Sequence, residues 1–492
     1  MKIISAITNS GSTNSQENII TDGKLVCSYG QIPEIFVAIG EMLARRGVTN
    51  QDCVALGCEN SLPIALVLLY LLEHDYSLLL LPRDNLLSNE NHEDLPKFCH
   101  YMLVTKDYTD DGEVNLGIPE QFLYLKENPD WNGVKAGAEN PKLYMRTSGS
   151  TGKPKKAMHS HVHLRENILN CVERLNLHRD DRVAIPVPIY HMYGLGAALL
   201  PSVAVGASID LQKGANLLRY LQRERQFSPN VAFMTPSFCN TLIKGRRGDR
   251  PYKLTVAAGD LIREEVFAGY EARMGCLVKL YGSTEMGAIA AASPQESKEI
   301  RLKTVGQPMP GVEISTSSPT KRYTKGVEAE GELWCYHKCG FEGYVDDEGE
   351  KVHLNSEELD NWFRTKDWGK IWSDGHLEVR GRCDHSINRD GLLVFFSEVE
   401  RAIATIAGID SVVVLSKGES KRGKGLVAYC VLAKGAEDIS AEDIRSSCFD
   451  LLPRRAVPDY VFLISALPML PNGKVDRQNL IARKDAVKTL KI

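Results

Sequence analysis

Short apolar runs alternate with helical patterns along most of this 492-residue chain, and that alternation limits the possible folds more than any other feature. Residues 33–46 carry apolar side chains at helical spacing and end in a basic turn before Gly47. The predicted buried strands are at 54–56, 183–187, 231–234, 254–257 and 277–280. Strands that alternate with helices predict an α/β architecture with a largely parallel sheet.

The pattern changes near residue 383, so at least two domains are expected. After Asp384 there are strand patterns at 412–415 and 425–429, a helical pattern near 441–452 and a Pro-Asn-Gly turn at 471–473. This succession predicts a small α+β unit that is large enough to be a separate domain. The predicted domains are therefore 1–382 and 385–492.

Composition excludes several functional classes. The formal net charge is −4, from 59 basic and 63 acidic side chains, so no broad basic surface for nucleic acid or an anionic membrane is expected. The 12 cysteines form no Cys-X-X-Cys pair, which favours buried or free thiols in a reducing, cytoplasmic compartment over a zinc site.

No targeting or membrane segment is predicted. The N-terminus lacks the basic-then-apolar layout of a signal peptide. The most apolar stretch, 62–81, is interrupted by Glu73, His74 and Asp75, which predicts a buried helix, a turn and a strand instead of a membrane span.

Residues 144–155 form the most distinctive motif, which we call the phosphate loop. Its glycines Gly149 and Gly152 let the backbone approach a ligand, and the hydroxyl and N–H groups between them can donate to phosphate oxygens. Lys153, Lys155 and Lys156 add positive charge. Taken alone, this composition is also typical of an exposed surface loop.

The phosphate loop does not match the P-loop of nucleotide triphosphatases. That motif needs a glycine five residues before Gly152, where Thr147 stands. It also needs a serine or threonine after Lys153, where Pro154 stands. A P-loop kinase or ATPase is therefore disfavoured.

Residues 147–156 resemble the signature of the adenylate-forming enzymes, which include acyl- and aryl-CoA ligases, adenylation domains of peptide synthetases and firefly luciferase. Further motifs follow in the family's order, so the resemblance extends from Tyr29 to Arg477. It implies a large N-terminal α/β domain of several sheets with flanking helices, a small mobile C-terminal domain, and ATP with Mg²⁺ as cofactors. The ATP-binding residues implied in this first motif are Thr147, Ser148, Gly149, Ser150, Thr151, Gly152 and Lys155.

A second motif, Tyr281 to Glu285, follows a predicted strand, where a loop at the carboxyl end of a strand can line a ligand crevice. By itself the sequence is more typical of a helix N-cap than of a nucleotide-binding loop. The resemblance assigns Tyr281, Gly282 and Ser283 to ATP, and Thr284 and Glu285 to catalysis. Glu285 is a hard oxygen ligand that suits Mg²⁺ bound with ATP.

Three further positions match the family. Asp367 and Arg382 correspond to the two ribose-contacting residues, and Asp384 corresponds to the hinge between the domains. Residues 470–477 resemble the C-terminal signature, which assigns Lys474 the catalytic role of bridging the substrate carboxylate and the ATP phosphate. Without the resemblance, this segment is typical of an exposed Asn-Gly turn with a solvated lysine.

The substrate is predicted from residues 188–196, which contain no carboxylate to pair with the ammonium group of an α-amino acid. Residues 193–199 and 205–207 resemble the benzoate-type branch of aryl-CoA ligases, which favours an aromatic acid over an aliphatic one, although ordinary helix packing also explains them. His191 is assigned both to catalysis and to the acid pocket. The predicted acid pocket is His191, Met192, Tyr193, Gly194, Met234, Ala258, Gly259, Gly282, Met286 and Gly287.

Four positions depart from the family pattern. Lys156 and Lys366 stand where the family usually has glycine, Asn388 where a lysine associated with thiol transfer often stands, and Phe396 in place of a common proline. The adenylation residues are thus complete, whereas the match of the thiol-transfer residues is weaker. The intact Lys474, Glu285 and Asp367 argue against a catalytically silent binding protein.

The predicted reaction is activation of a carboxylic acid to an acyl-adenylate with release of pyrophosphate, followed by transfer to a thiol. No carrier domain follows Lys474 in the 492 residues, so the thiol is expected in trans. Coenzyme A is the predicted acceptor, and the phosphopantetheine of a separate acyl carrier protein is the alternative. The basic residues considered for either acceptor, or for a solvated loop, are Arg389, Lys417, Lys421, Arg422 and Lys424.

Overall fold

The computed structural model describes residue 2 and residues 17–87, 95–106, 114–136, 140–147, 155–214, 216–316, 326–352, 358–359, 362–389, 392–420, 423–436, 438–469 and 475–483. The chain divides into two compact units. The first unit is Met1–Ile314, Cys335–Phe363 and Gly375–Leu377, and the second is Ser315–Trp334, Arg364–Asp374 and Glu378–Ile492. The boundary at 382–385 stays a prediction.

The strands of the described residues are, in chain order, β1 (Ile19–Thr21), β2 (Val26–Ser28), β3 (Cys53–Cys58), β4 (Ser77–Pro82), β5 (Tyr101–Thr105), β6 (Leu123–Glu127), β7 (Lys142–Arg146), β8 (Lys156–Ser160), β9 (Arg182–Ile185), β10 (Ser208–Leu211), β11 (Val231–Met234), β12 (Tyr252–Ala257), β13 (Gly275–Ser283), β14 (Gly287–Ala291), β15 (Gln307–Pro308), β16 (Val312–Thr316), β17 (Ala329–His337), β18 (Tyr344–Val345), β19 (Lys351–Val352), β20 (Glu358–Leu359), β21 (Trp362–Ile371), β22 (Leu377–Arg382), β23 (Ser386–Arg389), β24 (Leu392–Phe395), β25 (Ile409–Ser420), β26 (Gly423–Leu432) and β27 (Tyr460–Leu463).

The helices are α1 (Ile32–Arg45), α2 (Leu62–Glu73), α3 (Arg83–Leu87), α4 (His161–Leu175), α5 (Leu200–Ala204), α6 (Leu217–Phe227), α7 (Pro236–Gly245), α8 (Glu264–Met274), α9 (Lys298–Lys303), α10 (Phe396–Ala404), α11 (Ala441–Leu451) and α12 (Arg477–Ala482). A π-helix covers Tyr193–Leu199, and short 3₁₀ turns cover Tyr29–Gln31, Pro119–Gln121 and Cys383–His385.

Two large sheets belong to the first unit. The nine-stranded sheet has the order β15-β14-β13-β12-β11-β9-β10-β1-β2, and its strands from β1 to β13 are parallel. The eight-stranded sheet has the order β19-β18-β8-β7-β4-β3-β5-β6, with parallel pairs around β3 and β4. The prediction of an α/β fold with largely parallel sheet is confirmed, with antiparallel strands at the edges of both sheets.

The apolar segment 62–81 folds as predicted. Every residue of α2 is buried, so the helix has no solvent-exposed face. The strand β4 follows after a turn in which Asp75 adopts a positive φ of 59°. This helix contributes to the largest hydrophobic core, together with α1, α4 and strands of both large sheets. Among the described residues, no helix has the length and apolar character needed to cross a membrane.

A five-stranded sheet, β16-β17-β21-β20 with β22 beside β21, contributes residues to both units. The second unit also contains the sheet β24-β23-β26-β25, with β27 beside β26. The predicted strands at 412–415 and 425–429 lie within β25 and β26, and the helix predicted near 441–452 is α11. Val399, Val414 and Ile444 are among the side chains of a separate core in this unit.

Candidate active site

The phosphate loop connects two antiparallel strands, β7 and β8, in which Arg146 pairs with Lys156. Its two ends are joined because the Thr147 N–H donates to the Lys155 carbonyl over 2.8 Å. A P-loop lies between a strand and a helix, so this strand–loop–strand connection separately excludes that motif. The remaining predicted ATP-binding residues of the loop lie outside the described residues: Ser148, Gly149, Ser150, Thr151 and Gly152.

Lys156 does not add charge to the phosphate loop. Its side chain is buried, and its Nζ lies 2.5 Å from Oδ1 of Asp347. The lysine that replaces the family's glycine therefore serves an internal ion pair within the first unit. Lys155 differs, because its Nζ lies over the ring of Tyr344, 5.1 Å from the ring centroid.

The second motif is the end of a β-hairpin and not a helix N-cap. Tyr281, Gly282 and Ser283 are the last residues of β13, and Ser283 pairs with Gly287 of β14. The turn between them consists of Thr284, Glu285 and Met286, and the Met286 N–H donates to Ser283 Oγ over 3.0 Å. The hairpin holds Glu285 at its tip, half-buried.

Tyr344 contacts Glu285 directly. The Tyr344 hydroxyl donates to Oε1 of Glu285 over 2.8 Å. Since Lys155 lies over the same ring, Tyr344 links the described end of the phosphate loop to the predicted metal ligand. No pattern in the sequence distinguished this tyrosine, because its partner is 59 positions away along the chain.

A buried histidine pair lies close to the hairpin. His159 of β8 and His163 of α4 share a hydrogen bond between their Nδ1 atoms at 2.8 Å. Burial and, to a smaller extent, the nearby His337 lower the pKa of His163, the Met286 carbonyl opposes the shift, and the net pKa is about 4. Burial also holds the pKa of His159 well below its usual range, so both imidazoles are neutral near pH 7.

The predicted acid-pocket residues come from four segments of the first unit. His191 and Met192 precede the π-helix, on which Tyr193 and Gly194 are the first two residues. The Tyr193 hydroxyl lies 3.0 Å from the Met234 carbonyl and 2.7 Å from the Val256 carbonyl, at the ends of β11 and β12. The structure thus brings Tyr193 and Met234 together.

Other acid-pocket residues differ in burial and packing. Ala258 and Met286 are buried, whereas Gly259 and Gly282 are exposed. Gly194 packs against backbone, because a Cβ at this position would collide with the carbonyl of Pro188. That packing explains the glycine without an acid in contact with it.

Two asparagines that the sequence did not indicate hold these segments. Asn167 of α4 donates to the Gly196 carbonyl over 2.7 Å and accepts from the Ala288 N–H over 2.8 Å, which ties the π-helix to β14. Asn60 is buried and accepts from the Ile189 N–H over 3.0 Å while donating to carbonyls at the end of β9. Polar residues of this kind are recognisable only when their backbone partners are known.

The predicted ribose and hinge residues meet in the second unit. Arg382 forms two hydrogen bonds with Asp384, both 2.9 Å long, and its Nη1 lies 3.6 Å from Oδ1 of Asp367. The same Nη1 donates to the Thr365 carbonyl over 3.1 Å. Lys366 adopts a φ of 61°, a conformation for which glycine is favoured, so the family's usual glycine has a backbone explanation.

Lys474, the predicted catalytic lysine, lies outside the described residues, and backbone contacts fix the described chain on either side of it. Met469 and Val475 form an antiparallel bridge, and the Asp476 N–H donates to the Pro468 carbonyl over 2.8 Å. Arg477 donates to the Val414 carbonyl and to Glu400.

Arg389 is not available for contact with coenzyme A or a carrier protein. Its side chain is fully buried in the second unit, where it donates to the Val457 carbonyl over 3.1 Å and to Asp459 over 2.8 Å. Arg389 was one of several candidates for an acceptor contact, and its burial removes it from that group. Lys417 donates to the Arg483 carbonyl, Lys424 is exposed, and Lys421 and Arg422 lie outside the described residues.

Two family models match the chain. The model of the AMP-binding enzymes matches residues 12–345, and the model of the AMP-binding enzyme C-terminal domain matches residues 398–474. The second match lies within the predicted C-terminal domain.

Curated relatives and solved structures agree with these models. The mitochondrial medium-chain acyl-CoA ligase of Macaca fascicularis is 26% identical over 355 residues, which are 68% of this chain and 56% of that protein. Indoleacetate–CoA ligase of Aromatoleum aromaticum is 24% identical over 488 residues, 93% of this chain and 94% of the relative. The structure of o-succinylbenzoate CoA synthetase from Bacillus subtilis with its acyl-adenylate intermediate matches with a TM-score of 0.80 and 18% identity, over 98% of both chains.

Proposed function

This chain belongs to the AMP-binding enzyme family, the adenylate-forming enzymes, and on that premise we propose that it is an acid–thiol ligase. The proposed reaction joins a carboxylic acid to AMP with release of pyrophosphate. The acyl group then passes to the thiol of coenzyme A.

The observation that carries the proposal is the arrangement of Glu285, Tyr344 and Lys155. A hairpin tip presents a carboxylate, a buried tyrosine hydroxyl donates to it, and the lysine that ends the phosphate loop lies over that tyrosine ring. A carboxylate beside a phosphate-binding segment is the donor set that a nucleotide with a bound divalent cation needs.

The residues present fit Mg²⁺ bound with ATP. Glu285 is half-buried and offers two hard oxygen atoms, of which Oε1 accepts from Tyr344. A carboxylate has about four lone-pair positions, so one hydrogen bond leaves room for a metal. Bound there, the cation would neutralise phosphate charge during substitution at phosphorus.

The chain's own residues would orient the reactants and neutralise charge. The carboxylate of the acid attacks the α-phosphorus in line, and pyrophosphate leaves with the former α–β bridging oxygen. Lys474 bridges the carboxylate and the phosphate as charge redistributes. Thr147, Thr284 and Lys155 donate to phosphate oxygens, and Asp367 and Arg382 contact the ribose.

We assign the substrate to aromatic acids. One support is that residues 188–196 contain no carboxylate. Another is a relative that matches 93% of this chain and is named for indoleacetate. The alternative is a medium-chain aliphatic acid, which the name of a second relative favours. An α-amino acid is disfavoured because a buried ammonium group would lack a counter-charge.

Coenzyme A is the proposed acceptor, with a carrier protein as the alternative. Both curated relatives described above are named as CoA ligases, over 68% and 93% of this chain. Arg389 is buried. Among the described residues of the basic group named above, Lys417 and Lys424 remain candidates for contacts to the phosphates of coenzyme A. A separate carrier domain would also favour basic residues, so charge does not decide between the acceptors.

Pyrophosphate exchange into ATP tests the first half-reaction. The acids to compare are benzoate, indoleacetate, octanoate and the proteinogenic amino acids, with Glu285→Gln as the inactive control. We expect the aromatic acids to stimulate exchange most. Exchange led by an amino acid would contradict the substrate class, and exchange with none of a broad acid panel would contradict the enzyme class.

Coenzyme A is then added with the best acid, and the product is identified by mass. Acyl-CoA would confirm the acceptor. Accumulated adenylate without acyl-CoA, rescued by a carrier protein bearing phosphopantetheine, would instead establish the alternative.

A further inference from the structure

Glu285 occupies the three-residue turn between β13 and β14, where backbone hydrogen bonds do not determine the direction of its side chain. A glutamate has three side-chain torsions, and fixing them costs conformational entropy when a ligand binds. A metal ion therefore binds more tightly to a side chain in such a turn when a rigid neighbour fixes the orientation of that side chain.

Tyr344 is such a neighbour. It is 3% exposed, and its ring packs edge-on against Phe341 at 5.1 Å between centroids. Its backbone is held in β18, where Tyr344 pairs with Ala157 of β8. The hydroxyl that donates to Glu285 Oε1 over 2.8 Å is thus part of a packed core.

The same strand pairing places Tyr344 near the phosphate loop. Ala157 is two residues after Lys155, whose ammonium lies 5.1 Å from the centre of the tyrosine ring. An ammonium over an aromatic face is attracted by the negative charge of that face. One side chain therefore contacts two groups assigned to the nucleotide, through its hydroxyl and through its ring.

We infer that Tyr344 is a positioning residue for the metal carboxylate: its hydroxyl orients Glu285 for the divalent cation bound with ATP. This inference rests on the proposed function. It assigns Tyr344 no contact with the reacting atoms.

The test uses the full chain and a nucleotide that cannot react, α,β-methylene ATP, titrated by calorimetry with Mg²⁺ and again with EDTA. Tyr344→Phe removes the hydroxyl and keeps the ring beneath Lys155. We expect its affinity for the analogue to fall about tenfold in Mg²⁺, the lower end of the effect of losing a hydrogen-bond partner of a metal ligand. In EDTA its affinity should equal that of the wild type.

Tyr336→Phe is the matched control, since Tyr336 lies on β17 and its ring packs against that of Trp362. It should leave both affinities unchanged. A second variant, Tyr344→Leu, also removes the ring under Lys155, so its affinity should fall in EDTA as well.

The outcomes separate the inference from the proposed function. If Mg²⁺ raises the affinity for the analogue equally in the wild type and in Tyr344→Phe, the inference about Tyr344 is overturned. The proposed function would remain. Equal losses with Mg²⁺ and with EDTA would overturn the inference too, because they indicate a general packing role. A wild-type chain that does not bind the analogue would overturn both.

Discussion

Arg382 and Asp384 form a bidentate ion pair, with Nε–Oδ1 and Nη2–Oδ2 distances of 2.9 Å. Burial by itself raises the pKa of Asp384, but the hydrogen bonds and charge of Arg382 outweigh it and leave the pKa below its usual range. The residue predicted to contact ribose thus holds the residue predicted to be the hinge. A rotation of the backbone at Asp384 has to break or carry along this pair.

The first prediction concerns this hinge. Asp384→Pro should slow overall thioester formation and leave adenylation near the wild-type rate, because proline fixes φ and restricts the preceding residue. Pyrophosphate exchange measures adenylation, and detection of acyl-CoA measures the overall reaction. Asp384→Ala is the control, since it also removes the ion pair but leaves the backbone free to rotate. Wild-type rates for both steps in the proline variant would place the hinge elsewhere.

Lys474 provides a second prediction. Lys474→Ala should slow adenylate formation by about a hundredfold or more, the usual cost of losing one preorganised electrostatic contact. Thiol transfer from supplied acyl-adenylate should change much less, because that step does not need the contact. Lys424→Ala, which alters an exposed lysine of the same unit, should leave adenylation unchanged. Equal losses in both half-reactions would contradict the assignment of Lys474.

The backbone at Lys366 gives a prediction about stability. Lys366 adopts a φ of 61°, where a Cβ atom crowds the following carbonyl. Lys366→Gly should raise the free energy of unfolding by roughly 1 kcal/mol, measured by denaturant titration. Lys366→Ala keeps a Cβ and should give no such gain. A glycine variant no more stable than the alanine variant would show that this conformation is not strained.

The buried histidine pair predicts a pH dependence of stability. The pKa of His163 is lowered to about 4 in the folded state, whereas a histidine in the unfolded chain titrates near 6.5. The unfolded chain therefore takes up the proton first, so stability is full above about pH 6.5 and falls as the pH drops toward 4. Between about pH 7.5 and pH 5 this single group should cost about 2 kcal/mol.

Urea titrations at these two pH values measure that loss. His163→Asn removes the titrating group and should reduce the difference between the two free energies of unfolding. His178→Asn is the control, because it makes the same substitution at an exposed histidine. An unchanged difference in His163→Asn would show that another group carries the acid sensitivity.

Short-range patterns predicted the elements well. The run at 231–234 is β11, and the segment 62–81 contains α2 and β4 as expected from its apolar composition. These predictions succeed because burial periodicity is a local property of the chain.

Long-range contacts could not be predicted in the same way. Lys156 had the charge and the position expected of a phosphate ligand, yet it forms an ion pair with Asp347, 191 residues away. Arg389 had the charge of a surface residue, yet the strands around it bury it against Val457 and Asp459. Tyr344 and Asn167 were missed for the same reason, because their roles depend on partners brought near only by the folded sheets.

The strand that follows the phosphate loop has a consequence for ionic strength. Where a helix begins directly after such a loop, its aligned peptide dipoles supply partial positive charge to a bound phosphate. Here the strand β8 begins at Lys156, so no helix follows the phosphate loop directly, and side-chain charge such as that of Lys155 has to take its place. Charges on exposed side chains are screened by salt far more than buried dipoles are. Nucleotide affinity in this protein should therefore fall steeply as salt concentration rises.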